Sequence, residues 1–140
     1  MLQFLHEKTI RFNGSILGFE QLDGFSVSVV EENSPYAYLQ SLEEENIGFL
    51  VVTPFVFYPD YEFELEEKDK SLLELKSQEE GAVLAIVTMS EDFIQSTVNL
   101  LAPLMINITN GLARQVVLPP KFNYGTKELL FKQAMAEKGE

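Results

Sequence analysis

The sequence predicts a mainly all-β fold: a small antiparallel β-barrel-like domain with a few short helices. Three observations carry this expectation. Seven or more short apolar or alternating runs are separated by turn residues. Phe is frequent, with 11 copies beside 5 Tyr and no Trp, and aromatic and β-branched side chains favour pleated, half-buried surfaces. Few segments have helical spacing. A closed barrel would also leave no exposed sheet edge.

Taken in order, residues 8–12 form the first strand, and Asn13-Gly14-Ser15 turns the chain. Residues 15–20 make a loop with apolar anchors. Residues 25–29 alternate apolar and small polar side chains, as a half-buried strand does. Residues 36–42 suit a strand or a helical turn equally. Residues 48–53 are continuously apolar and predict a central strand. Pro54 and Pro59 bracket the next segment, which is therefore a bend or an edge.

The clearest pattern follows. Apolar residues stand at Tyr61, Phe63 and Leu65, and acids at Asp60, Glu62, Glu64 and Glu66. A period of two makes a strand with one buried face and one line of carboxylates. Residues 70–76 read as a short amphipathic helix and 82–89 as a buried strand. A turn or short helical start follows at 90–93. Residues 97–108 read as a long apolar strand interrupted at Pro103, which implies a bulge or an edge. Asn110-Gly111 is a hairpin signal, 113–118 is the returning strand, and Pro119-Pro120 ends it.

One domain, residues 1–120, and a C-terminal tail, residues 121–140, fit the 140-residue length. The tail is expected to be helical over 127–137. Thr126 can cap it. Leu130, Phe131, Ala134 and Met135 share a face, and Glu128 and Lys132 stand four apart.

The net charge is −12, and it is unevenly placed. No Lys or Arg lies between Arg11 and Lys68, while 12 of the 22 acids do. The remaining acids balance all the bases. Such a surface repels phosphate backbones and attracts basic proteins, so direct nucleic-acid binding is disfavoured. The same charge also serves plain solubility. There is no cysteine, which removes disulfides, thiolate nucleophiles and cysteine-based metal sites. No basic leader or apolar run of ~20 residues is present. The expectation is a cytoplasmic protein that does not engage a membrane.

No catalytic motif stands out. His6 is the only histidine, and no nucleophile motif accompanies it. The glycines form neither a phosphate loop nor a dinucleotide fingerprint. Alternate carboxylates on a strand lie ~7 Å apart and do not converge on one ion. No enzyme activity, metal or cofactor is expected. Phe55, Phe57, Tyr58 and Tyr61 crowd the segment beside the acids. They suit a core, with at least half of them buried, or an exposed hot spot for a basic, partly apolar partner.

Four segments resemble the flagellar assembly factor FliW family: 14–20; 39–65, with its Phe49-Leu50-Val51-Val52-Thr53-Pro54-Phe55 run; 97–107; and 114–118. They occur in the family's order, and 97–107 is the most specific. Asn13 and Leu17 stand where many members carry prolines, and the tail after Pro120 differs from the usual ending. The resemblance implies a small β-barrel-like fold without enzyme activity or cofactor. It also implies two protein partners in the cytoplasm. One is flagellin. The other is the RNA-binding translational regulator CsrA, whose repression of flagellin mRNA is relieved by binding away from its RNA site.

The expected contact residues are Asp60, Glu62 and Glu64 for charge pairing, with Tyr58 and Tyr61 as apolar anchors. Asn99 and Pro103 are second candidates, with shaping of a bulge as their alternative role. Three other functions compete. A generic binding module would show a deep apolar cavity, and a carboxylate hydrolase two convergent acids. A flagellin chaperone would have no role in translation.

Overall fold

The computed structural model describes residues 2–131. Among the described residues nine short strands build one antiparallel sheet system: β1 (Thr9–Arg11), β2 (Gly24–Val29), β3 (Tyr36–Ser41), β4 (Gly48–Val52), β5 (Gly81–Thr88), β6 (Thr97–Val98), β7 (Leu104–Asn107), β8 (Ala113–Gln115) and β9 (Glu128–Leu129). The path runs β1-β2-β3-β4-β5-β6-β9, and β7 joins β5 to β8. An isolated bridge between Arg11 and Leu112 brings the β8 end back to β1. The sheet curls as a barrel does, but among the described residues no ladder closes it.

Strands 2, 4 and 5 stand where the patterning predicts them, and residues 36–41 resolve as a strand. Tyr36–Ser41 has a period-two burial pattern, which a helical turn would not give. The central strands are apolar on both faces because two clusters flank them. Val51, Leu84, Leu104 and Ile106 face one cluster with Phe12, Phe25 and Leu39. Val52, Ala85, Val87 and Met105 face the other with Tyr61, Leu73 and Leu100. Rings of Tyr36, Phe57, Phe131 and Phe93 contact one another in a closed circuit at 5.4–6.1 Å.

Residues 97–107 do form one interrupted partner for β5. Residues 97–98 pair with 88–87 and residues 104–107 with 84–81. The five residues 99–103 therefore stand against two, Ala85 and Ile86, an excess of three. Each carbonyl of this excursion from Leu100 to Pro103 has a donor. Leu100 accepts from the Tyr61 hydroxyl at 2.7 Å and Leu101 from Leu118 N–H at 2.8 Å. Ala102 accepts from Gln115 Nε2 at 3.1 Å and Pro103 from Val116 N–H at 3.0 Å. Buried backbone groups need such partners.

Three expectations change. Residues 60–66 alternate in burial from Tyr61 onward, but Asp60 lies in a turn and none of them joins a ladder. The helix α1 spans Glu67–Leu72, earlier than its apolar spacing suggested, with Leu73 just beyond it fully buried. The tail helix does not form in its described part, because Glu128 and Leu129 pair with Val98 and Thr97 as β9. Residues 132–137 of that expected helix lie outside the described residues.

The Asn13-Gly14 turn is left-handed at both positions, with φ of 51° and 77°. A Cβ on Gly14 would lie 2.8 Å from the Glu20 carbonyl oxygen. Gly14→Ala is expected to cost at least about 1–2 kcal/mol, measured by urea titration. A loss below about 0.5 kcal/mol would contradict this reading of the turn.

Candidate functional site

The acidic segment is held as a strap across the second core cluster. It starts where β4 leaves the sheet. Thr53 N–H turns back to the Pro35 carbonyl at 2.9 Å. A single 3-10 turn, Pro54–Val56, redirects the chain, and Pro54 has no N–H to continue a ladder. The Pro54 carbonyl accepts from both Phe57 and Tyr58 N–H groups.

Tyr61 is the nail of the strap. Its ring is 4% exposed and packs on Tyr124 at 4.6 Å, Phe63 at 5.4 Å and Phe55 at 5.9 Å. Burial, with a lesser contribution from Tyr124, pushes its phenol above the usual tyrosine range. The Tyr124 hydroxyl accepts from Glu62 N–H at 3.0 Å and donates to the Glu62 carbonyl at 3.1 Å. The backbone at the centre of the acidic row is thereby fixed from the side. Sequence spacing could not reveal this clamp, since Tyr124 lies in the segment set apart as a tail.

Asp60, Glu62 and Glu64 are all exposed. Their carboxylates make no hydrogen bond or ion pair with any described residue, in contrast to Asp23 and Glu43. Asp23 pairs with Arg11 and accepts from Asn13 N–H, and Glu43 accepts from Asp23 and Gly24 N–H groups. Some acids of this half thus tie loops together, while those on the strap, like the exposed Glu31, Glu32, Glu44 and Glu45, carry carboxylates that engage no described residue.

The structure brings the three strap acids together but separates the other candidates from them in role. Tyr61 faces the core, so it positions the acids and presents no ring to a partner. Tyr58 is half-buried, and its hydroxyl donates to the Leu129 carbonyl. Burial first, and Glu128 second, push its phenol upward. Asn99 Oδ1 accepts from Ala102 N–H at 3.0 Å, the bulge-shaping role. Among the four crowded aromatics only Tyr61 is fully buried, while Phe57 is partly covered and Phe55 is exposed.

Beside the strap runs an open groove of about 910 Å³. Tyr61, Phe63 and Leu65 line it from the strap, Ala82 and Val83 from β5. It is no enclosed ligand cavity, and polar side chains including Glu62, Glu64, Lys70 and Lys76 share its lining. Elsewhere, His6 Nδ1 accepts from Val29 N–H at 3.0 Å and so ties the N-terminal turn to β2. Among the described residues no group of three or more His, Asp or Glu side chains could hold a metal ion, and no helix is long and apolar enough to cross a membrane.

These features define a small antiparallel β protein with an exposed acidic row beside an open groove. Comparison with known proteins gives the particular lineage. The family model described as FliW protein matches residues 1–130. The flagellar assembly factor FliW of Bacillus subtilis (strain 168) is 42% identical over 121 residues, covering 86% of this chain and 84% of that protein. That of Bacillus licheniformis is 40% identical over 126 residues, covering 90% and 87%. A crystal structure of the flagellar assembly factor FliW superposes with a TM-score of 0.80 at 32% identity, covering 88% of this chain and 85% of that one. The chain belongs to the FliW family, whose named members are flagellar assembly factors.

Proposed function

We infer that this chain is a flagellar assembly factor that works in the cytoplasm by binding proteins and catalyses no reaction. It binds flagellin, and it binds the translational regulator CsrA and so relieves repression of flagellin mRNA. Family membership supports the assembly role. One observation supports the binding mode: Asp60, Glu62 and Glu64 are exposed and unengaged on a strap whose backbone is clamped. Fixed charges of one sign steer a basic partner and set its orientation. An RNA-binding regulator carries positive charge, and an acidic partner docked on it weakens RNA binding by coupling.

The test is the double charge reversal Glu62→Lys, Glu64→Lys. Both side chains point to solvent, so stability is expected to stay within about 0.5 kcal/mol. Affinity for purified CsrA is expected to fall about tenfold. The wild-type affinity is expected to weaken as salt is raised. Unchanged affinity in the variant removes the strap from the interface. Capture of flagellin without CsrA would reduce the function to that of a chaperone.

A further inference from the structure

The groove beside the strap has unsatisfied backbone on both of its walls. The first wall is the start of β5. Ile108 N–H donates to the Glu80 carbonyl at 2.8 Å, and the register continues through Ala82↔Ile106 and Leu84↔Leu104. In an antiparallel ladder the bonded residues alternate. Ala82 and Leu84 therefore bond to β7, and the N–H and C=O of Gly81 and Val83 face the opposite edge. The partner on that edge, β4, pairs only with Ala85 and Ile86, and the Pro54–Val56 turn that follows stays beside β5 without joining its ladder. Gly81 N–H is used by the Gln78 carbonyl. Val83 is left with a free donor and a free acceptor among the described residues, at a position that lines the groove.

The second wall is the strap. Phe63, Glu64 and Leu65 alternate in burial as an extended segment does, they line the groove, and their N–H and C=O groups bond to no other described residue. Unpaired edges of this kind are templates for another chain, and natural proteins normally blunt or cover them.

Building on the binding role inferred above, we propose that this groove takes an extended segment of a partner protein by strand addition, pairing with β5 at Val83 and with the strap at 63–65. The open groups select an extended peptide over a helix, because a helix has already consumed its own backbone bonds. The walls select its side chains. One row, every second residue, enters a groove lined by Phe63, Leu65 and Val83. The other row faces out beside charge. Glu62 and Glu64 call for a Lys or Arg there, and Lys70 and Lys76, which share the lining, for an acid elsewhere along the segment. A second copy of this chain is a poor occupant, because its own strap would set carboxylates against carboxylates.

Two synthetic nonapeptides provide the test, Lys-Val-Lys-Val-Ser-Val-Glu-Val-Glu and the version with the opposite charge order. Each is labelled with fluorescein and titrated by anisotropy against the full chain. One charge order is expected to bind, and the other to bind more weakly. Replacing single central amides of the binder by esters deletes N–H donors while keeping its shape. Each donor in use is expected to be worth roughly fivefold in affinity. In the saturated complex, hydrogen exchange at Val83 N–H is expected to slow at least tenfold, while Ala82 N–H, already bonded to β7, changes little.

Absence of binding by both peptides, ester series within twofold throughout, or unchanged exchange at Val83 overturns the proposal. So does competition by a peptide of residues 132–140, which would make the chain's own terminus the occupant, or a dimer by sedimentation of the unliganded protein. Failure here is separable from failure of the functional reading. A chain that binds flagellin and CsrA but gives no ester effect loses only strand addition. A chain that binds the nonapeptide yet ignores both proteins loses only the named partners.

Discussion

Replacing Tyr61 by alanine is expected to lower the unfolding free energy by about 3–5 kcal/mol. The ring is 4% exposed and contacts Tyr124, Phe63 and Phe55. Its removal opens a void under the strap, and the neighbours are held by their own contacts. The hydroxyl adds a separate contribution, since it is the donor for the Leu100 carbonyl at 2.7 Å. Tyr61→Phe keeps the packing and strands that acceptor, for an expected loss of about 1–3 kcal/mol. Urea unfolding with an unchanged m value would report both losses. An alanine variant that loses under about 1 kcal/mol would show that the strap is not nailed at this point. The same variants bear on binding. A loosened strap disperses Asp60, Glu62 and Glu64, so partner affinity should fall in the alanine variant and be retained in the phenylalanine one.

A loss of similar size, about 3 kcal/mol, is expected for Asn107→Leu. Asn107 is fully buried at the end of β7. Its amide donates to the Leu73 carbonyl at 2.8 Å and the Glu74 carbonyl at 3.3 Å. Its carbonyl oxygen accepts from Thr109 N–H at 2.9 Å and from the Thr109 hydroxyl at 2.7 Å. One side chain thus joins the β7–β8 turn to the chain leaving α1. Leucine fills the volume but leaves these groups without partners. Asn107→Asp gives a pH signature. A buried carboxylate facing two carbonyls is disfavoured, so its folded pKa lies above the ordinary value of about 3.9. The variant is most stable below that value, where the carboxyl is protonated in both states. It loses stability as pH rises through the folded pKa. Thermal melts between pH 3 and pH 8 would read this, and a flat difference from the wild type would exclude it.

Much of this architecture can be read from local pattern. Period-two alternation locates β2, and continuous apolar runs locate β4 and β5, whose two faces each meet a core cluster. Pro103 and the apolar run around it reveal an interrupted strand, since proline cannot serve a continuous ladder. The acidic row at 60–66 shows which residues face water. It cannot show that the segment lacks a partner strand, because burial against a cluster and burial within a sheet write the same alternation. The inward turn of Tyr61 follows from its phase with Phe63 and Leu65, but its ring suits a surface anchor equally well in one dimension. β9 is hidden for a different reason. Glu128 and Leu129 are good helix formers, and their pairing with β6 is a contact across the chain that overrides propensity. Tyr124 and the free edge at Val83 are long-range facts, invisible to any window of neighbouring residues.

The three surplus residues in the 99–103 excursion carry a rule about chain length. In β6 and at Leu100 the even-numbered side chains meet the cluster around Tyr61, whereas in β7 the even-numbered Leu104 and Ile106 meet the opposite one. Because the surplus is odd, the inward and outward parities of the chain exchange across it. A deletion or insertion of two residues there would preserve that exchange. A change of one would turn either Val98 or Leu104 away from its cluster, so length variation at this point among related chains is constrained to even steps.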